Sequence, residues 1–320
     1  MSEKINHSVQ QKRNKRKQSK KDDFLWKAIL EDISEDFLRF FFPDADQLFD
    51  MNRKCEYLDK EFDPLFPQEE TGAGRVRYVD KLLKVFLKDG GEKWISVHVE
   101  VQHQRGKEDF STRMLRYWYL MKARHNVSIT ALAILTGSNK SFRPGPYVEE
   151  YLGTRLTYEY NIYKILDQRE DELKANPNPF ALVILVALSA IKQKRVNDRE
   201  LKAIKHELNH ELLKKKLDGS KHKSIVNFIK YYVNFENPEM MITFDKELEK
   251  LSGRTTTMGT EEYLLQKRTA EGKALGIAEG EARGRHEEAL EIAAELKKEG
   301  LSIDFIVRTT KLSIKEVQAL

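Results

Sequence analysis

One stretch, Val79 to Gln102 (VDKLLKVFLKDGGEKWISVHVEVQ), constrains the fold more than any other. Two β-rich runs flank Asp89-Gly90-Gly91, a turn signal, and predict a β-hairpin. In the second run Ile95, Val97, Val99 and Val101 alternate with Trp94, Ser96, His98, Glu100 and Gln102. Period two sets Glu100 and Gln102 on one face and the valines on the other. The loop decides whether Asp80 joins them. A three-residue loop, Asp89 to Gly91, pairs Lys88 with Glu92 and Asp80 with Glu100. A two-residue Gly90-Gly91 turn sends Asp80 to the other face. The three-residue loop is the expectation, because either glycine can take a left-handed conformation.

Facing carboxylates on adjacent strands repel, and on a buried face they need a cation. A hard divalent ion with oxygen ligands, Mg2+ or Mn2+, meets that need. Such an ion activates a water for attack on phosphorus and stabilises the charge that develops. The competing reading is that Asp80 or Glu100 simply faces solvent at a strand end, as most carboxylates do. The apolar strand leading to Glu100 argues against it.

Asp80, followed 20 positions later by Glu100-Val101-Gln102, resembles the active-site signature of the PD-(D/E)XK nuclease superfamily. More narrowly, the chain resembles the recombination-promoting nucleases (Rpn), also called YhgA-like transposases. The resemblance is carried by LDKEF (58–62), VDKLLKV, HVEVQ, FSTRMLRYWY (110–119) and NPFA (178–181), and covers roughly residues 22–320. It implies a metal-dependent DNA endonuclease linked to recombination or mobile DNA, with catalytic Asp80, Glu100 and Gln102. It implies Mg2+ or Mn2+ on Asp80 and Glu100, with a carboxylate of the first helix, Glu31 or Glu35, completing the site. The superfamily pattern usually has lysine where this chain has Gln102, whose amide can position a water but is a poor base. Lys81, next to Asp80, alternates to the opposite strand face, so the lysine's role has no candidate. The alternative is an inactive nuclease core that binds DNA or assembles. A DDE-type transposase is disfavoured, since no third well-placed acid is apparent.

The implied fold is α/β: a PD-(D/E)XK restriction-endonuclease-like core, a mixed sheet flanked by helices, followed by an all-helical C-terminal region. The order helix, strand, hairpin, helix, strand, strand agrees with that layering. The expected divisions are a disordered arm (1–21), the core (22–195), a helical extension (196–251), a linker (252–260) and a C-terminal helical region (261–320).

The arm contains KRNKRKQSKK (12–21), seven basic residues with no acid or apolar residue among them. It cannot bury a face. Lys12, Arg13, Lys15, Arg16 and Lys17 are candidates to lie along DNA phosphates, the other reading being a solubilising tail. An amphipathic helix then runs from Asp22-Asp23 to Phe41, where Pro43 stops it. Arg75 and Arg77, in the loop before the hairpin, read as surface charges. In the helix from Phe110 to Arg124, Arg113 is the candidate for a DNA contact, while Tyr117 belongs to the buried stripe. Ile129 to Leu135 reads as a strand covered on both faces, Leu156 to Leu166 as another strand, and Phe180 to Ile191 as a buried helix. His206 and His210, four apart, read as surface histidines.

Glycines 272, 276, 280 and 284 recur every fourth residue, which keeps them near one helix face. Each costs a helix about 1 kcal/mol relative to alanine. The repeat points to self-association as a homo-oligomer, or else to a mobile connector. Ser302 and Ser313 are expected N-caps of two short helices, with Ser313 and Glu316 forming a capping box. No apolar run is long enough to span a membrane. A single cysteine, Cys55, excludes an internal disulfide and a Cys-cluster zinc site, and suits a reducing cytoplasm.

Overall fold

A computed structural model describes residues 22–58, 79–100, 109–192, 196–232, 235, 237–252, 286–310 and 312–320. The chain divides into two compact units, Met1–Thr257 and Met258–Leu320. The first is built on a five-stranded mixed sheet, in the order β1-β2-β3-β4-β7. β1 (Glu56–Tyr57), β2 (Val79–Phe86) and β3 (Glu92–Glu100) run antiparallel. After α4 (Phe110–His125), β4 (Ile129–Leu135) lies parallel to β3, and β7 (Asn161–Lys164) lies parallel to β4.

The hairpin forms in a register that differs from the sequence expectation. Phe86 pairs with Glu92 and Asp80 with His98. Leu87 N–H donates to the Gly91 carbonyl at 2.8 Å, so the three loop residues are Lys88, Asp89 and Gly90. Gly90 holds the left-handed position at φ +91°, and the Asp89 carboxylate accepts from Gly91 N–H at 3.0 Å. Leu87 and Lys88 are tied back to Phe49 and Leu48, which draws the turn one residue earlier along the chain. The shift is two register steps, an even number, so strand parity is unchanged.

The two faces of the sheet carry different partners. Leu82 and Trp94 pack with Tyr117 and Met121 of α4. Ala131, Ala133 and Leu135 meet Phe110 and Met114 of the same helix. The Asp109 carboxylate caps α4 by accepting from the Ser111 and Thr112 amides. Leu83, Val85, Ile95, Val97 and Val99 form the opposite, fully buried face. α2 (Ser34–Phe41), followed by the single turn α3 (Ala45–Leu48), brings Phe40 and Phe41 within 5.8 and 5.0 Å of the Tyr163 ring on β7.

Two further elements depart from the sequence pattern. The first helix is broken at Ile33 into α1 (22–32) and α2. The Tyr57 hydroxyl donates to the Glu31 carbonyl at 3.1 Å, an intrusion of the kind that kinks a helix. The strand expected over 156–166 is instead two strands. β6 (Thr154–Tyr158) pairs with β5 (Tyr147–Tyr151) in a separate hairpin, and only β7 joins the main sheet. Two residues without strand structure, Glu159 and Tyr160, let the chain change sheets.

α5 (Glu170–Ala175) leads to α6 (Pro179–Lys192), apolar around its circumference and buried along nearly its whole length. α7 (Asp198–Lys214) and α8 (Gly219–Tyr232) pack against it, and α9 (Pro238–Ser252) packs on α7, inside the same unit as the sheet. Buried Lys205 closes this layer by donating to the Ile229 and Lys230 carbonyls near the end of α8, each at 2.7 Å.

In the second unit, α10 (286–298), α11 (Ile303–Thr310) and α12 (Ile314–Ala319) enclose Ala293, Ile306, Leu312 and Val317. Gly300 ends α10 at φ +81°, and Ser313 and Glu316 form the expected capping box. The arm, the glycine repeat, and most of the linker lie outside the described residues. No described helix is long and apolar enough to cross a membrane.

Candidate active site

Asp80 is the second residue of β2 and Glu100 the last of β3. Because Asp80 pairs with His98, Glu100 stands two positions further along its strand, at the same ladder parity. The expected direct pairing of Asp80 with Glu100 is therefore corrected to a diagonal one. Diagonal neighbours in an antiparallel pair are about 7–8 Å apart, against about 5 Å for direct partners. Gln102 lies outside the described residues.

Glu100 is also in register with Leu135 of β4, which is in register with Lys164 of β7. The three parallel strands end together, and crevices at such carboxyl ends are where open α/β sheets place their ligands. Lys164 closes one side of this edge. Its ammonium donates to the carbonyls of Asn139, Lys140 and Phe142 at 3.0, 2.8 and 2.9 Å. Desolvation lowers its pKa, with nearby Arg143 acting in the same direction. The three acceptors hold the chain after β4 in place.

His98 was not singled out by sequence reasoning as a site residue. It is buried, and its ring stacks on Tyr117 of α4 at 4.8 Å between centroids, 16° from parallel. Its Nε2 lies 3.3 Å from the Ser96 hydroxyl. Its alternation in phase with Glu100 was the signal available. Tyr117 is packed in the core, as its place in the helical stripe predicted.

Lys81 and Glu31 meet on the other parity of the sheet. Lys81 is only 2% exposed and donates to the Glu31 carboxylate, with its ammonium 4.9 Å from the centre of the Tyr57 ring. Glu35 lies on α2, 3.7 Å from Arg39 and 3.8 Å from Lys221. Glu31 therefore meets, in Lys81, the strand residue of opposite parity to Asp80 and Glu100. Lys84 pairs with Glu92 at 3.0 Å and Glu56 at 3.3 Å, at the far end of β2 from Asp80.

Arg113, expected to contact a DNA backbone, is not an exposed side chain. Arg113 is 7% exposed, on the face of α4 that packs against the sheet, with its guanidinium 4.9 Å from the centre of the Phe110 ring. Lys12, Arg13, Lys15, Arg16 and Lys17, with Arg75 and Arg77, lie outside the described residues. His206 pairs with Glu247 at 2.6 Å, and Lys202 binds the second carboxylate oxygen. Lys202 and His206 together hold Glu247 below the usual carboxylate range. Among the described residues no group of three His, Cys, Asp or Glu side chains is placed to hold a metal ion.

Compared with known proteins, the chain matches no family model, no curated protein and no solved structure.

Proposed function

We propose that the chain is a metal-dependent DNA endonuclease of the PD-(D/E)XK type, related to the Rpn family and acting in recombination or on mobile DNA. The observation that carries this reading is the ladder: Asp80 and Glu100 stand on adjacent strands, at one parity and two steps apart, at the carboxyl end of β3. Two acids so placed suit Mg2+ or Mn2+, because Mg2+ is commonly held by one or two carboxylates with water and substrate phosphates completing its shell. When bound, the ion supplies an acidified water and neutralises charge on the phosphate. Asp80 and Glu100 would hold it, and Gln102 would orient the attacking water by accepting its proton-bearing edge or donating to its oxygen. Buried His98, stacked on Tyr117, supports the strand segment between the two acids.

A second reading, a nuclease-fold protein that binds DNA or assembles without cutting it, is favoured by one observation. The lysine next to Asp80 in sequence, Lys81, is directed to Glu31 on the other face, and Gln102 carries no charge to replace it. Supercoiled plasmid incubated with Mg2+, Mn2+ or EDTA, beside Glu100→Ala, separates the two. Nicking that needs metal and falls at least 100-fold in the variant is expected. Cleavage that survives in Glu100→Ala would sink the site assignment, and a mobility shift with no cleavage under any metal would establish the second reading.

A further inference from the structure

The β5–β6 hairpin stands apart from the main sheet and from the proposed chemistry. β5 leans on α4, and the Tyr158 ring at the base meets Trp118 at 5.4 Å and Tyr160 at 5.8 Å. Beyond that base both strands are exposed. Among the described residues β6 has β5 as its strand partner and no strand on its other edge.

The exposed surface is unusually apolar for a solvated arm. Val148, Tyr151, Leu152 and Leu156 are 51%, 73%, 87% and 44% exposed. Leu152 and Gly153 form the tip with φ of +48° and +84°. Hairpin turns of this hand favour Asn, Asp or Gly at both positions, and leucine there is uncommon. A large apolar side chain at a strained tip gains nothing from water. The sequence of β6, TRLTY, has one charged residue, Arg155, and no proline to protect a free edge.

Charge selects among the ways this arm can be covered. Its charged residues are Glu149, Glu150 and Arg155, so a phosphate surface is a poor partner. Antiparallel self-pairing through β5 sets Glu149 or Glu150 of one copy opposite an acid of the other, which is destabilising. Self-pairing through β6, centred on Leu156, sets leucine against leucine, Arg155 against Thr157 and Thr154 against Tyr158, with no like charges opposed. We propose that β6 is a self-association strand: two copies join their β6 edges antiparallel about Leu156 into one four-stranded sheet. This is independent of the endonuclease reading.

The test uses the full chain with Cys55→Ser, so that an introduced cysteine is alone. Under mild oxidation Leu156→Cys should give a disulfide-linked dimer on a non-reducing gel. Val148→Cys, on the outer strand of the joined sheet, should give no disulfide-linked band on the same gel. Exposed Leu156→Arg should retain the far-UV spectrum and lower the average mass in sedimentation equilibrium at micromolar concentration. Equal cross-linking at both positions, or none at Leu156→Cys, overturns the proposal. So does a chain that sediments as a monomer throughout the concentration range.

Discussion

Asn178 joins two elements that lie 142 residues apart in sequence, and its removal has a magnitude that can be worked out from its bonds. Its Oδ1 accepts from Phe180 N–H at 2.8 Å, which caps the first turn of α6. Its Nδ2 donates to the Asp36 carbonyl on α2 at 2.9 Å. Loss of a helix cap costs about 1 kcal/mol, with a range of about 0.5–2. A net hydrogen bond contributes about 0.5–1.5 kcal/mol. Asn178→Ala loses both and should cost about 2 kcal/mol by summing these two terms. Asn178→Asp keeps the acceptor, loses the donor, and should cost about 1 kcal/mol.

Trp26, Trp94 and Trp118, the three tryptophans, all lie in the first unit, so their fluorescence follows its unfolding without contribution from the second. That matters because a chain of two units need not unfold in one step. With a guanidinium slope of roughly 4 kcal/mol/M, the midpoint should fall by about 0.5 M in Asn178→Ala and by half as much in Asn178→Asp. Equal losses in the two variants would mean that the cap contributes nothing. An unchanged midpoint in Asn178→Ala would refute the tie between α2 and α6.

Two further outcomes follow from the turn and the α4 cap. An added Cβ at Gly90 meets no atom within 4 Å, so Gly90→Ala tests backbone strain alone. It should cost about 1 kcal/mol, and Gly90→Asn less, since asparagine tolerates the left-handed region better; the same fluorescence midpoint reads both. The Ser111 hydroxyl and then the α4 amides hold the Asp109 carboxyl below its ordinary value. A lowered folded-state pKa gives stability that is present above the unfolded value and lost as pH falls through the folded one. Asp109→Ala should therefore cost about 1 kcal/mol at pH 7, and the gap from wild type should close on acidification below about pH 4. A gap that stays constant with pH would show that the carboxylate is not the cap.

Much of the fold was legible because it rests on local pattern. The alternation in β3, the apolar run of β4 and the unbroken apolar stretch of α6 each dictate one burial class, and each formed where expected. The failures came where a distant residue intervened. Nothing within residues 22–41 marks a break at Ile33, because its cause is a hydroxyl from Tyr57, 26 positions after the Glu31 carbonyl that it binds. Residues 156–166 have enough alternation for one strand, but Tyr158 and Tyr160 pack with α4 and the chain changes sheets between them.

The site shows the same division between what alternation supplies and what it omits. Alternation within β3 puts Glu100 in phase with His98 whatever the turn does, and a shift of two register steps leaves Asp80 in phase with both. The error in the turn therefore altered the separation of the acids but not their parity, and parity is the property a shared ion needs. Alternation could not show that Arg113 is buried on α4, or that Lys164 donates to three backbone carbonyls. Those cations come from α4 and β7, and their positions depend on how these elements pack against the strand ends. Lys81, beside Asp80 in sequence, and Lys164, at the strand ends, are both engaged by groups of the scaffold, one by the Glu31 carboxylate and the other by three backbone carbonyls.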